Sequence, residues 1–324
     1  MTSTPFIWMT SSLQVLTMDL CANITVTEFY LTTFSTTRIN EILIFTGFLL
    51  IYLLAAGNLI IIALVCSVPE LHTPMYFFLC NLSFFDIISV STTLPKILSI
   101  IITADKTISY YGCITQLSFS IFCTTAEDFI LTSMAYDRYV AVCSPLHYSL
   151  IMTKKVCLLI ATSYMVLTSL NSLMLILLIS TLSFCYSHKI NHFFCESRAL
   201  MALSSSDITG REIVFFAEDI CFVVFTLIFI LISYVRIIST ILKIHSAKGR
   251  LKAFSSCSSH IITVLLFYGP IIFIYLKPES KQSEQEGQLL SMLYMAVVPM
   301  LNPFVYSLRN KEVWGAIRKC INKI

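Results

Sequence analysis

A chain of 324 residues that is 57% hydrophobic and only 12% charged, with a mean hydropathy of +0.84, has too little polar surface to clothe a soluble globule of its size. The net charge of +3 is not a nucleic-acid signal, because no aqueous stretch carries a basic stripe with interleaved aromatics. The composition is that of a membrane protein.

From the N-terminus, Met1 to Cys21 has no basic region, and its apolar run is broken by Thr and Ser. No cleavable signal peptide is expected, so the first span acts as signal anchor. Met18 lies just before a glycosylation sequon, Asn23-Ile24-Thr25, and either Met1 or Met18 suits as the start. Windows of about 20 apolar residues then mark seven segments: 42–66, 77–101, 115–142, 156–182, 213–241, 257–276 and 289–308. Asp86 and Lys96 interrupt the second, Glu127 and Asp128 the third; the other five are clear. A second sequon, Asn81-Leu82-Ser83, falls inside a segment and is expected to stay unmodified.

Each segment exceeds a barrel strand in length and lacks alternating polarity, so helices must satisfy the backbone in lipid. The predicted fold is an all-α membrane protein, a seven-transmembrane helix bundle with a short amphipathic C-terminal helix. Thirteen of the 21 Lys and Arg fall on one set of loops, which makes that set cytoplasmic. An odd number of spans then leaves the N-terminus extracellular and the C-terminus cytoplasmic, in a multi-pass protein of the plasma membrane. Residues 1–40 read as an extracellular tail, 41–309 as the membrane domain and 310–324 as the cytoplasmic amphipathic helix and tail. In that last stretch Val313, Trp314, Ile317 and Ile321 oppose Arg318, Lys319 and Lys323, a pattern suited to the inner lipid surface. Gly57-Asn58, Pro95, Gly269-Pro270, Pro299 and Pro303 are helix disturbers and predict kinks.

The pair Asp137-Arg138 stands where the third segment meets a basic loop. Charges next to lipid are costly unless they face protein or water, so such a pair marks a functional site. Asp86 and Glu127 are intramembrane acids on neighbouring helices, suited either to a hydrated pocket for sodium or a proton, or to uncharged acids bridged by hydrogen bonds. Ser120 with Thr124, and Ile121 with Thr125, are i, i+4 pairs that mix hydroxyls and apolar surface on one stripe. No P-loop, hydrolase elbow or metal-spaced His/Cys cluster is present, so neither an enzyme nor a bound metal cofactor is expected.

Four runs in order carry a family likeness: Leu71–Leu79 (LHTPMYFFL), Met134–Tyr148 (MAYDRYVAVCSPLHY), Lys252–His260 (KAFSSCSSH) and Pro299–Asn310 (PMLNPFVYSLRN). The chain resembles the olfactory (odorant) receptors, a branch of the rhodopsin-like (class A) G-protein-coupled receptors, from about Thr25 to the C-terminus. The resemblance implies a receptor for small hydrophobic or volatile molecules that activates an olfactory-type stimulatory G protein and raises cyclic AMP. It implies switch roles for Asp137, Arg138, Tyr139, Tyr234, Asn302, Pro303 and Tyr306. It places Asn58 and Asn302 at the level of Asp86. It implies a disulfide between Cys113 and Cys195. A second bridge is usual in the family, but the partner position of Cys185 holds Ser205 here. Cys185 is left free, paired with Cys21, or in exchange.

The resemblance also puts a ligand pocket in the outer half, formed by Ser120, Ile121, Thr124, Thr125, Phe222, Tyr268, Ile271, Ile272, Tyr275 and Met292. Glu218 and Asp219 are unusual there, and with Asp128 they suit a cationic odorant unless Arg211 and Lys189 neutralise them. The competing functions are a non-olfactory chemoreceptor of the same fold and a channel or transporter, for which no inverted repeat is visible.

Overall fold

The computed structural model describes residues 26–32, 38–185, 187–276, 287, 290–309, 313 and 315–318. The first membrane rod is two helices, α1 (Arg38–Ala55) and α2 (Gly57–Ser67), joined at Ala56. At the joint a Cβ on Gly57 would sit 3.4 Å from the Pro303 Cβ, an ordinary van der Waals contact, so the first rod packs directly on the last here. Next comes α3 (Pro74–Thr103), started by a proline that has no N–H to leave unpaired. The third rod, α4 (Tyr110–Cys143), begins where the Ser109 hydroxyl accepts from the Gly112 N–H at 3.1 Å. In the same way Thr153 caps α5 (Lys154–Ser180), accepting from Val156 at 3.3 Å.

The fifth rod is α6 (Thr209–Asp219), a π turn at Ile220–Val224, and α7 (Phe225–Leu242). The sixth, α8 (Ala247–Leu276), is bent by 40° between Ser255 and Cys257. This bend lies at the serine pair, a place the sequence did not single out; adjacent small residues bend helices by weakening the ladder. The seventh opens with a second π turn, Leu293–Val297, and continues as α9 (Val298–Arg309). Pro299 and Pro303 have no N–H for the α ladder, which loosens this rod.

Rod α4 is the axle: it packs against α3, α5, α7 and α8, while α9 closes the ring against α8, α3, α2 and α1. Polarity is inside out. Leu158, Leu159, Leu170, Phe225 and Val235 are each at least 59% exposed, while Asn58, Asp86, Glu127, Asp128 and Asn302 are at most 4% exposed. A bundle immersed in lipid needs this arrangement, because only the interior can satisfy polar groups. Four helices among the described residues are long and apolar enough to cross a membrane, and α8 makes a fifth if its two halves form one span. The second expected segment qualifies, as α3, despite Asp86 and Lys96; two others fall short of that measure, the third, α4, which carries Glu127, Asp128, Asp137 and Arg138, and the seventh, a shorter apolar helix over Leu290–Tyr306. At the C-terminus Val313 and Ala316 are buried with the inner core and Arg318 is exposed, as the amphipathic pattern requires. Trp314, Lys319, Ile321 and Lys323 lie outside the described residues, as do Cys21 and the sequon at Asn23.

One element was not foreseen. A three-stranded sheet, β2-β1-β3, caps one end, with β1 (Glu28–Leu31) in the middle, antiparallel to β2 (Thr107–Ser109) and parallel to β3 (Lys189–Ile190). Part of the expected tail is thus built into the domain, with Phe29 buried edge-on against Phe184 at 5.2 Å.

At the end of α3, Ala104 takes φ 59°, the left-handed region. Asp105 then closes the turn, and the hydrogen bonds it accepts from the Thr107 N–H and hydroxyl hold its carboxyl below the usual carboxylate range. A Cβ in that backbone region costs about 1 kcal/mol or more, which glycine avoids. Ala104→Gly is therefore expected to raise the thermal midpoint of the purified protein in detergent; an unchanged or lower midpoint refutes the strain.

Candidate functional site

At the inner end of α4 the Asp137 carboxylate is 1% exposed and lies 3.9 Å from Arg138 Nε, so the adjacent pair does fold together. Sequence reasoning missed its second partner. Tyr148, on the short turn Tyr148–Ile151 after Pro145, donates its hydroxyl to Asp137 Oδ1 at 2.7 Å. Burial beside that carboxylate pushes the Tyr148 phenol up, so it stays a donor. Tyr139 is half-buried and stacks on Tyr136.

Tyr234 of α7 is engaged elsewhere: its hydroxyl lies 2.6 Å from His260 Nδ1, and His260 Nε2 lies 3.0 Å from the Leu131 carbonyl. A carbonyl only accepts, so Nε2 carries the proton; on a neutral ring Nδ1 then accepts from Tyr234. This relay ties α7, α8 and α4 together. Tyr306 of α9 is 2% exposed, and the neighbouring Val305 carbonyl accepts from Ser259 of α8 at 3.0 Å.

Midway along the bundle, Asn302 donates its amide to both oxygens of Asp86, at 3.1 and 2.9 Å. Glu127 is within electrostatic reach of Asp86. Asn58 donates to the Pro299 and Ala55 carbonyls at 2.9 and 3.1 Å, joining the first rod to the seventh. Three oxygens at this level, Asn58 Oδ1, Glu127 Oε1 and Asn302 Oδ1, are buried without a hydrogen-bond partner.

In the outer half, the two hydroxyl pairs of α4 part company. The Ser120 hydroxyl faces Met295 Sδ at 3.9 Å, while Thr125 accepts from Asn171 of α5 at 3.4 Å. Asn171 also donates to Glu218 Oε1 at 2.7 Å, a partner the sequence did not reveal. Tyr268 is 1% exposed and donates to the Thr226 hydroxyl at 3.0 Å. Phe222 sits edge-on to Phe129 at 5.7 Å. Ile121 and Thr124 are half-buried; Ile271 and Met292 are buried. Ile272, one residue on from Ile271, is 38% exposed and turned outward, so it does not join them. The side chain of Tyr275 lies outside the described residues. Asp219 is neutralised, but by Arg198 at 3.4 Å; Arg211 instead donates to the Asp207 carbonyl and the Thr181 hydroxyl.

A loop lids this region. Cys113 and Cys195 are disulfide-bonded with Cα atoms 5.4 Å apart, which pins the loop to the top of α4. Gln116 reinforces the joint, accepting from the Cys195 N–H at 2.9 Å and donating to the Thr92 carbonyl at 3.0 Å. Phe193 and Phe194 pack among Val90, Leu94, Met292 and Met295, and so plug the bundle. Cys185 is itself disulfide-bonded, which removes the free-thiol alternative. Its N–H donates to the Ser205 hydroxyl at 2.9 Å, so Ser205 still crosslinks this turn by hydrogen bonding. Of the two recesses described, only the second touches an expected pocket residue, Met292. One of about 600 Å³ lies at the outer sheet beside Lys106 and Lys189, and one of about 410 Å³ lies between α1 and the seventh rod.

Membrane helices around a polar interior, with a loop plugging one end and a buried Asp-Arg pair near the other, are features that suit a transmembrane receptor. The comparisons with known proteins agree. The family model described as olfactory receptor matches residues 45–323. The chain is 45% identical over 297 residues to olfactory receptor 1G1 of Gorilla gorilla gorilla, covering 91% of this chain and 95% of that one. It is 45% identical over 282 residues to olfactory receptor 1L6 of Homo sapiens, covering 87% and 81%, and 46% identical over 286 residues to olfactory receptor 5AR1 of Mus musculus, covering 87% and 92%. The chain belongs to the olfactory receptor family.

The plug carries a titratable group. His192 is 4% exposed with its ring 4.3 Å from Phe194, and burial pulls its imidazolium down to about 4. A seated loop therefore holds a neutral ring, whereas an unseated one takes a proton near 6.5. The unseated state binds more protons between those values, so the loop's stability is full above about pH 6.5 and is lost as pH falls toward 4, by roughly thirtyfold in population at pH 5. Thermal midpoints at pH 7.5 and pH 5 are expected to diverge more for wild type than for His192→Phe; equal acid sensitivity would refute the assignment.

Proposed function

We propose that this protein is an odorant receptor: it binds small hydrophobic or volatile molecules from outside the cell and activates an olfactory-type stimulatory G protein to raise cyclic AMP. Seven crossings, an extracellular N-terminus and a cytoplasmic C-terminus complete the reading. The supporting observation is the Asp137–Arg138 pair with its Tyr148 latch. A buried carboxylate that holds a guanidinium at one end of a packed rod is a two-state element, because the arginine has an alternative partner once a protein surface arrives. Tyr234 is held on His260 and Tyr306 is buried, and the proposal has both leave these positions when the switch turns. The proposed domain division keeps 41–309 as the receptor core, with β1 of the preceding segment folded onto it.

Arg138→Ala is expected to reduce ligand-evoked cyclic AMP to background while surface staining persists. Tyr148→Phe removes a hydrogen bond to a charged group, worth about 1.5–3 kcal/mol, and is expected to raise ligand-free cyclic AMP several-fold. A wild-type response from Arg138→Ala removes the proposed switch.

The interior acids support a second element of the proposal, a sodium site at Asp86 and Glu127. The donor set is all oxygen, which suits a hard cation, and three buried oxygens at that level lack partners. Asp86, with Asn302 on its carboxylate, would hold the ion, and Glu127 would balance its charge. Replacing sodium by choline is expected to shift the ligand concentration–response curve of wild type and leave that of Asp86→Asn unmoved; identical shifts in both would exclude the ion.

A further inference from the structure

Three acids reach the outer half of the bundle from α4 and α6, and their surroundings differ. Asp219, at the rim, is paired with Arg198. Glu218 has a neutral partner, the Asn171 amide of α5. Asp128 is 2% exposed, and its Oδ1 has no hydrogen-bond partner. The groups around that carboxylate are the Tyr268 hydroxyl, within hydrogen-bonding reach, and Glu218 and Asp219, within electrostatic reach. Among the described residues no Lys, Arg or His forms an ion pair with Asp128 or Glu218.

The polar inventory is lopsided. Asp128 and Glu218 offer carboxylate oxygens on facing helices, while the nearby donors, Asn171 and Tyr268, are already directed at Glu218 and Thr226. A ketone or ester would add a further acceptor to a place short of donors. An alcohol would bring one donor and no charge. An ammonium brings up to three N–H donors and the positive charge that the buried Asp128 and the half-buried Glu218 lack, and charge-assisted hydrogen bonds are the stronger kind. The fully buried Tyr268 ring adds an aromatic face, the surface on which cations rest favourably. Helix geometry adds freedom, since the π turn Ile220–Val224 follows directly after Asp219 and such turns let a helix re-aim its side chains.

We propose that Glu218 and Asp128, backed by Asn171 and Tyr268, form the seat of an ammonium group, and that the ligands of this receptor are small aliphatic amines. The assignment rests on the odorant-receptor reading and narrows it. Asp219 is excluded from the seat, because Arg198 already occupies it.

The test is a cyclic AMP assay on cells that display the full-length receptor, with surface staining of every variant. The probes are n-alkyl primary amines, each matched with the alcohol and the methyl ketone of the same chain length. Wild type is expected to respond to amines at concentrations about tenfold or more below those of the matched alcohols. Glu218→Gln and Asp128→Asn are each expected to raise the half-maximal amine concentration about tenfold or more. Glu218→Asp, which keeps the charge, is expected to recover part of the loss. Amines that act equally on wild type and both variants overturn the seat. Alcohols or ketones that activate wild type while amines do not overturn it too, and leave the odorant reading standing. Silence to a broad odorant panel with receptor at the surface fails both. Should the variants not reach the surface, the wild-type ranking of amine over matched alcohol decides alone.

Discussion

In hydrocarbon there is no water to satisfy a polar side chain, and this constraint shapes the whole interior. Hydroxyls such as Thr92 and Ser133 turn back to a carbonyl of their own helix, while the larger polar groups tie the rods at a few named points: Asp86 to Asn302, Asn58 to Pro299, Tyr234 through His260 to Leu131, Glu218 to Asn171. Such ties between membrane helices are worth only about 0.6 kcal/mol on average, and rarely more than about 1.7. Their small size matters for function. A bundle held by modest, separable bonds is able to exchange a few of them without unfolding, which is the property a switch requires.

The two halves of the bundle are loosened at different places. In the outer half, the π turns at Ile220–Val224 and Leu293–Val297 break the regular ladder of the fifth and seventh rods, beside Glu218 and Met292. In the inner half, α8 bends next to Ser255, one turn from the His260 relay. Irregular backbone therefore lies beside the polar groups at both ends, while α5 runs unbroken over 27 residues with an apolar outer surface.

How far the sequence was legible follows the same physics. Hydropathy marked the clear rods, because burial in lipid writes itself as apolar length, and it was weakest for α4, whose acids face the interior and lower the apparent apolarity. The acids at 86, 127, 128 and 137 were legible as interior groups because lipid would not tolerate them. Their partners were not. Successive residues on a helix differ by about 100°, so a slight rotation decides whether Asp219 meets Arg198, Arg211 or Lys189, and no linear pattern records that rotation. Ile271 and Ile272 make the same point: they are neighbours of one chemistry, yet the first is buried and the second turned outward. Tyr148, Asn171, Gln116 and His260 were missed for a related reason, since each acts through a contact far away in sequence. The sheet was missed because the alternation that marks β1 lasts only from Glu28 to Leu31, too short to stand out beside runs of twenty apolar residues.

The disulfide at Cys113 gives the architecture its direction. It fastens the plugging loop to the first turn of α4, and Gln116, one turn further in, fixes the same loop again. The other end of that helix, 34 residues in all and about 50 Å long at 1.5 Å per residue, carries Asp137 and Arg138. Lid and latch are therefore mounted on one rod. Along its length the rod presents Thr125 to α5, Asp128 to Tyr268 of α8 and the Leu131 carbonyl to His260. A displacement of α4 by a fraction of a turn changes all of these contacts together, because packed helices move as units and do not deform residue by residue. On the receptor reading proposed above, chemistry at the lidded end has a continuous solid path to the Asp137–Arg138 pair, and the polar ties along α4 would set how much differential binding a ligand must supply to move it.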